Sequence, residues 1–460
     1  MTASSPLQKR ISEGMGNERV VRAVRLATLQ KVSVRSEAIG QLRDAEAIRD
    51  VAARIKQHTL DHLPDYLEQF AAGIERNGGQ VHFAPDAQAA RDIIRDIATK
   101  RGLKLAVKSK SMTSEEIHLN RALEDAGLQV VETDLGEFIV QIDGDTPSHI
   151  VTPIIHKDRR QIATALQRAL GCEYTEDAAE LTMIARRHLR DIFRRCDLGI
   201  SGVNFAVAET GTLCICTNEG NGRLTTTRPR VHVALMGIEK LIPRMSDLPA
   251  FLKLLARSAT GQPLTVYTTL ITGPRRADDL DGPQELHVVL MDAGRADILA
   301  GEFREVLRCI RCGACLNVCP VYRNIGGHAY GSVYPGPIGA LLTPLLAPAG
   351  GHEELPRVSS LCGACGDVCP VKIDIPGLLV KSRQRDVRSQ RWSKRLAMRM
   401  WARVMRSRRA YRVGQFLLRR AVATSIRVGP IGQWTQSRDL PPPPAESFRR
   451  RWEKELRDGP

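Results

Sequence analysis

Over residues 17 to 77, apolar side chains recur every three or four positions among charged neighbours, at Val21, Val24, Ala27, Ile48, Val51, Ile55, Leu60, Leu63, Leu67 and Phe70. That period puts them on one face of helices, and Gly78-Gly79 closes the run. The pattern then changes to short apolar runs alternating with helical ones. Leu103 to Val107, Leu128 to Val131 and Phe138 to Ile142 are strand-like, with a helix opening at Thr113-Ser114-Glu115-Glu116 and another from about Arg160 to Leu170. A second set has a long helix from about Glu176 to Cys196, followed by Asn204 to Ala208, Thr212 to Cys216, Val231 to Gly237, Leu264 to Thr269 and Leu286 to Leu290. Such alternation predicts an α/β domain built on a largely parallel sheet covered on both faces.

A helix at about Ala296 to Leu307 leads into residues 308 to 376, where Gly and Pro are frequent and strands scarce. Beyond Ile375-Pro376 a helical stripe resumes, with Trp392, Leu396, Met400 and Val404 four residues apart and Ala397, Trp401 and Met405 beside them.

At 460 residues the chain is too long for one core, and 43% hydrophobic with 26% charged residues is an ordinary globular balance. No stretch approaches ~18 uninterrupted apolar residues, and the first forty positions show no secretory pattern, so the expected location is cytoplasmic. Residues 381 to 460 hold 22 Lys and Arg against 6 Asp and Glu, which equals the whole net charge of +16. A neutral body therefore carries a basic tail suited to an acidic partner.

Seven of the eleven cysteines fall between Cys309 and Cys369. In a reducing compartment such grouping points to metal before disulfide. Cys309-x-x-Cys312-x-x-Cys315-x-x-x-Cys319-Pro320 is the bacterial ferredoxin run for iron-sulfur ligation. Two-residue gaps let thiolates converge on one cubane, Gly313 lets the loop close, and the fourth cysteine starts a segment aimed at a second cluster. Cys362-x-x-Cys365-x-x-x-Cys369-Pro370 repeats the ending, but Ser359 stands where its first cysteine belongs. Crossed ligation gives cluster 1 Cys309, Cys312, Cys315 and Cys369, and gives cluster 2 only Cys319, Cys362 and Cys365. Cluster 2 is then a 3Fe-4S centre, or a 4Fe-4S centre with serine, water or substrate on one iron. Zinc also uses paired Cys-x-x-Cys motifs, but a 2-2-3 run followed by Pro and then repeated fits no four-ligand zinc pattern. Cys214 and Cys216, two apart in a predicted strand, read as buried small hydrophobes, and completion of cluster 2 by an isolated cysteine is the minor alternative.

These segments divide the chain into a helical N-terminal region (1–77), an α/β domain (78–295), a two-cluster ferredoxin-like α-helical domain (296–380) and a basic helical C-terminal region (381–460). A further dense segment is Glu209-Thr210-Gly211-Thr212, a strand through Cys216, then Asn218-Glu219-Gly220-Asn221-Gly222-Arg223. A strand followed by a Gly- and Asn-rich turn at the edge of an α/β sheet is a common docking place, though alone it also fits a plain tight turn.

Joined to Pro229-Arg230-Val231-His232-Val233-Ala234, Gly237-Ile238-Glu239-Lys240, Pro243, Ser359-Ser360-Leu361-Cys362-Gly363-Ala364-Cys365 and Pro370-Val371-Lys372-Ile373, that segment resembles the lactate-utilization protein B family. The likeness spans nearly the whole chain, including the Trp434 to Trp452 region. It implies an N-terminal α/β domain related to the sugar-phosphate isomerase and CoA-transferase fold, a two-cluster insert carrying the same seven cysteines, and a basic helical end. It also implies work with sister proteins A and C in oxidising L-lactate to pyruvate.

Iron-sulfur clusters carry single electrons, so the expected role is electron relay in a complex that removes two. Glu219 is a candidate base, and Arg223 or Lys240 candidate holders of a substrate carboxylate, of L-lactate or another 2-hydroxy acid. Two alternatives remain: an iron-sulfur subunit of another 2-hydroxy-acid or heterodisulfide-type oxidoreductase, and a cluster-containing regulatory or nucleic-acid-binding protein. Aromatics are only 4% of the chain and no nucleic-acid module is recognisable, so no nucleic acid is expected. For the basic tail, a partner protein is the chosen destination over self-packing or peripheral contact with an anionic membrane.

Overall fold

A computed structural model of the chain describes residues 5–347, 351–387, 392–423, 444 and 446–457. The N-terminal part is four helices, Pro6–Gly16, Glu18–Gly40, Ala45–Asp61 and Leu63–Arg76. Ser5 and Gln8 form a capping box at the first, and Asn17 caps the second by accepting from Val20 N–H.

Among the described residues ten strands follow: β1 Gln80–Ala84, β2 Leu105–Lys108, β3 Gln129–Glu132, β4 Leu198–Gly202, β5 Phe205–Val207, β6 Thr212–Thr217, β7 Val231–Gly237, β8 Leu241–Ile242, β9 Tyr267–Ile271 and β10 Glu285–Met291. Six make a sheet in the order β1-β10-β7-β4-β2-β3, with every pairing parallel. The other four make a mixed sheet, β8-β5-β6-β9.

The parallel sheet is covered on both faces, as the apolar runs required. Val231, Val233, Leu235, Val289 and Met291 face the core with helices Ala87–Lys100 and Leu119–Glu124. Their neighbours Ala234, Met236, Leu286, Val288 and Leu290 face helix Leu63–Arg76 and the small sheet. At the β2-β3 end that side is closed by helices Arg159–Leu170 and Ala178–Arg195. Burying each of the Val, Leu and Met side chains contributes ~1.5–3 kcal/mol.

Several elements depart from the sequence reading. Phe138 to Ile142 lies in helix Leu135–Asp143, where Asp134 caps the start and Gly144 adopts the left-handed end. Phe138, Ile139 and Val140 are buried in succession, so no amphipathic period showed. The helix at Thr113 starts at Met112 under a Ser111 cap and ends at Glu116. The helix drawn from Ala296 to Leu307 is Arg295–Ala300, stopped at Gly301, then a 3-10 turn Arg304–Arg308. Strand β4 was hidden by its glycines: a Cβ at Gly199 would lie 2.0 Å from Thr225 O, so helix Asn221–Thr227 packs there only on glycine.

The cysteine-rich segment folds as short helices, Ala314–Val318, Pro320–Ile325, Gly336–Leu346, Ala364–Asp367 and Ile375–Val387. Its Leu316, Tyr322, Leu341 and Leu379 share one core with Val24 and Leu60 of the N-terminal helices and with Phe205 and Phe251. One compact unit ends at Arg383 and a second begins at Gln384. The second contains helices Trp392–Arg406 and Arg408–Ala423, with Trp392, Met400, Trp401, Phe416 and Leu417 exposed. Among the described residues no helix is long and apolar enough to cross a membrane.

Candidate functional site

Two loops of the cysteine-rich segment have the same backbone shape. In the first, Arg311 and Gly313 flank Cys312 with φ of +59° and +74°; in the second, Leu361 and Gly363 flank Cys362 with φ of +56° and +89°. Left-handed backbone on both sides of a cysteine turns the loop inward, and glycine adopts it without a Cβ penalty. The N–H of Arg311 reaches Cys309 Sγ at 3.4 Å, and the N–H of Leu361 donates to Ser359 Oγ at 3.1 Å. Beyond each loop another amide points at sulfur, Tyr322 N–H to Cys319 at 3.5 Å and Ile373 N–H to Cys369 at 3.4 Å.

The fold sorts the seven cysteines into two groups. Cys309, Cys312, Cys315 and Cys369 line one cavity, so the last cysteine of the second motif joins the first three of the first. Burial pushes the Cys312 thiol up to about 12, and the neighbouring Cys369 and Cys309 push it the same way. The remaining three keep their own company: burial, then Cys319 and, more weakly, Cys362, raise the Cys365 thiol to about 11. Cys362 is exposed while Cys319 and Cys365 are buried, so the second group reaches solvent at one residue; in the first group Cys309 is half-buried and the other three are buried.

These donors fit an iron-sulfur cluster better than zinc. A single tetrahedral zinc holds its sulfurs ~3.8 Å apart. Among the described residues no three of these sulfurs lie within 4.8 Å of one another. A cluster separates its thiolates more widely and accepts the amide-to-sulfur contacts found here. The isolated cysteines lie elsewhere: Cys196 donates to Phe193 O, and Cys214 is buried in β6 with its sulfur 4.0 Å from that of Cys216.

A second, larger cavity of about 470 Å³ opens at the carboxyl ends of β2, β3 and β4. From β2 the chain continues to the neighbouring edge strand β3, whereas from β4 it proceeds to the opposite side, so the cavity lies at the switch point of the sheet. Glu219 lines it as an exposed residue and accepts a hydrogen bond from Leu135 N–H at 2.9 Å; partial desolvation of its carboxyl, then Asp134, raises it above the usual range. Lys240 lines it too, pushed down to about 8 by burial and then by Arg311. Half-buried Cys216 also belongs to the lining. Arg223 does not: it is exposed, with its guanidinium 5.1 Å over the Tyr267 ring.

The sequence reading missed Arg311, which lines both cavities. It occupies a position that the spacing of the first cysteine motif leaves unspecified, so motif reading carries no signal for it. Its Nη2 sits 3.3 Å from Glu239 Oε1, and its guanidinium stacks on Tyr334 at 4.7 Å. Glu239 is held down to about 2 against burial by Arg295, at 2.7 Å, and by Arg311. Arg295 in turn clasps Glu116 with both terminal nitrogens, at 3.0 and 2.8 Å, and Tyr334 donates to Glu116 at 2.7 Å. A buried charged network thus ties the first cysteine loop to the sheet ends.

Three family models match successive parts of the chain. Residues 67–291 match the family model of the LUD domain, 305–373 that of the 4Fe-4S dicluster domain, and 384–457 that of the lactate utilisation protein B C-terminal region. The chain is 44% identical to lactate utilization protein B of Bacillus cytotoxicus over 98% of its own length and 97% of that protein's. Identity and coverage are the same for the proteins of that name from Bacillus cereus and Bacillus anthracis. A crystal structure of a DUF162 family protein from Deinococcus radiodurans aligns with 50% of this chain and 98% of its own at 13% identity, with a TM-score of 0.29.

Proposed function

This chain belongs to the lactate utilization protein B family, and from that premise we propose that it relays electrons released when L-lactate is oxidised to pyruvate. The observation that carries the reading is the sorting of seven cysteines into a group of four around one cavity and a group of three that reaches solvent at Cys362. The first group, Cys309, Cys312, Cys315 and Cys369, holds cluster 1; Cys319, Cys362 and Cys365 hold cluster 2. Each cluster, when bound, supplies one-electron transfer, so the pair matches the two electrons lost by a 2-hydroxy acid.

The chain's own residues set the direction. Arg311 places cationic charge beside cluster 1 and into the large cavity. Glu219, with its raised carboxyl, is suited to take a proton from a hydroxyl in that cavity. Exposed Cys362 places cluster 2 where a partner can reach it. Lactate-utilization proteins A and C are the proposed partners, and the α/β domain is assigned to the sugar-phosphate isomerase and CoA-transferase type. For the open position of cluster 2, the Ser359 contact supports serine oxygen over water or a 3Fe-4S core. Deleting the gene should abolish growth on L-lactate, and the wild-type chain but not Cys309→Ser should restore it. Growth restored by the variant would overturn the relay.

A further inference from the structure

Two buried polar atoms in the lining of the large cavity have no partner within the protein, Arg311 Nη1 and Thr217 Oγ1. Leaving a buried donor unpaired is costly, and more so when it is charged. Arg311 is held in place by Glu239 and by the face of Tyr334, so its guanidinium stays in the lining of the cavity. Lys240, also buried, lines the same cavity. In the surrounding network Lys240, Arg295 and Arg311 outnumber Glu116 and Glu239, which favours negative charge on a group that enters it from the cavity.

We propose that this cavity binds a small monocarboxylate, a 2-hydroxy or 2-oxo acid, with its carboxylate between Lys240 and Arg311, and that its binding is linked to reduction of the cluster on the Cys309 loop. The inference rests on the cluster reading above. Asp134 and Glu219 line the same cavity and repel a second carboxylate, which selects against dicarboxylic acids. Arg311 lies between Cys309 and Cys312, so one side chain faces both the acid and the cluster. An electron added to the cluster draws on the same positive charge that holds the acid, which weakens binding. By reciprocity, a bound acid makes the cluster harder to reduce.

The test is a redox titration of the anaerobically prepared holoprotein, followed by electron paramagnetic resonance, with and without saturating pyruvate or L-lactate. A tenfold weaker hold on the acid in the reduced state lowers the midpoint of one cluster by ~59 mV. Malate and sulfate at the same concentration should leave it in place. Lys240→Gln should abolish the shift while both cluster signals persist, and Lys240→Arg should keep it. An unmoved midpoint in the wild type, a shift that survives Lys240→Gln, or an equal shift with sulfate would overturn the inference. Absence of the cluster signals would remove the cluster reading as well, whereas intact signals with an unmoved midpoint would remove this inference alone.

Discussion

Ser359 Oγ accepts the backbone N–H of Leu361 at 3.1 Å, in the position where Cys309 Sγ meets the N–H of Arg311 at 3.4 Å in the companion loop. Oxygen therefore replaces sulfur in a loop whose backbone is otherwise the same, down to the left-handed residues either side of the next cysteine. The second loop kept its shape and lost one thiolate.

Ser359→Cys should accordingly change the chemistry without changing the fold. Iron content should stay at about eight atoms per chain, the sum of two cubanes, while the spectrum of cluster 2 should become that of a four-thiolate 4Fe-4S centre with a shifted potential. Because the oxygen ligand sets the properties of cluster 2, lactate turnover by the assembled system should fall when sulfur replaces it. Unchanged turnover would make the serine incidental.

Crossed ligation is tested by exchanging one cysteine from each motif. Cys369→Ser should destroy cluster 1 although it lies in the second motif, and Cys319→Ser should damage cluster 2 although it lies in the first. Electron paramagnetic resonance of the reduced variants distinguishes the outcomes. Each motif losing its own cluster would show uncrossed loops.

His149 should make the fold acid-sensitive. Its Nδ1 accepts from Val151 and Thr152 N–H at 2.9 and 3.1 Å, and its Nε2 meets Asn317 Oδ1 at 3.2 Å, which fixes the neutral ring. Burial, then Lys31 and Lys110, lowers it from 6.5 to about 3. Between those values the unfolded chain binds a proton that the folded chain refuses, so stability rises with pH and is lost as pH falls below 6.5. By pH 5 the loss is about 2 kcal/mol relative to pH 8. Thermal unfolding of His149→Gln should show a lower midpoint at pH 8 but a shallower decline into acid.

The basic tail should carry partner docking. Residues 392–423 hold ten Lys and Arg and no Asp or Glu, beside exposed Trp392, Trp401 and Phe416. Truncation belongs after Val387, because Arg383 donates to Pro356 O and Ser359 O at 2.8 and 3.0 Å and so supports the second loop. The shortened chain should keep both clusters yet fail to pull down its sister proteins, and the intact complex should weaken as salt rises. Normal co-purification, or tail-dependent binding to anionic vesicles, would contradict this.

Much of this was legible in the sequence, for identifiable reasons. Strands β7 and β10 are buried on both faces and read as continuous apolar runs, so their positions came out nearly intact. Edge strand β1 mixes Gln80 and His82 with its apolar residues and was passed over, as was β4 with its two glycines. The cysteines were readable because ligand spacing is local. Lys240 and Glu219 reached the cavity but Arg223 did not, since a turn residue's direction depends on the helix that follows it. Arg311 was invisible because its role depends on Glu239 and Tyr334, both remote in sequence.

The central claim is that electrons from L-lactate reach both clusters on this chain. The chain should be co-purified anaerobically with its two sister proteins and mixed with L-lactate while visible absorbance is followed. Bleaching of the iron-sulfur bands is predicted, complete in the wild type and partial in Cys319→Ser. Clusters that dithionite reduces but L-lactate leaves fully oxidised would contradict the account.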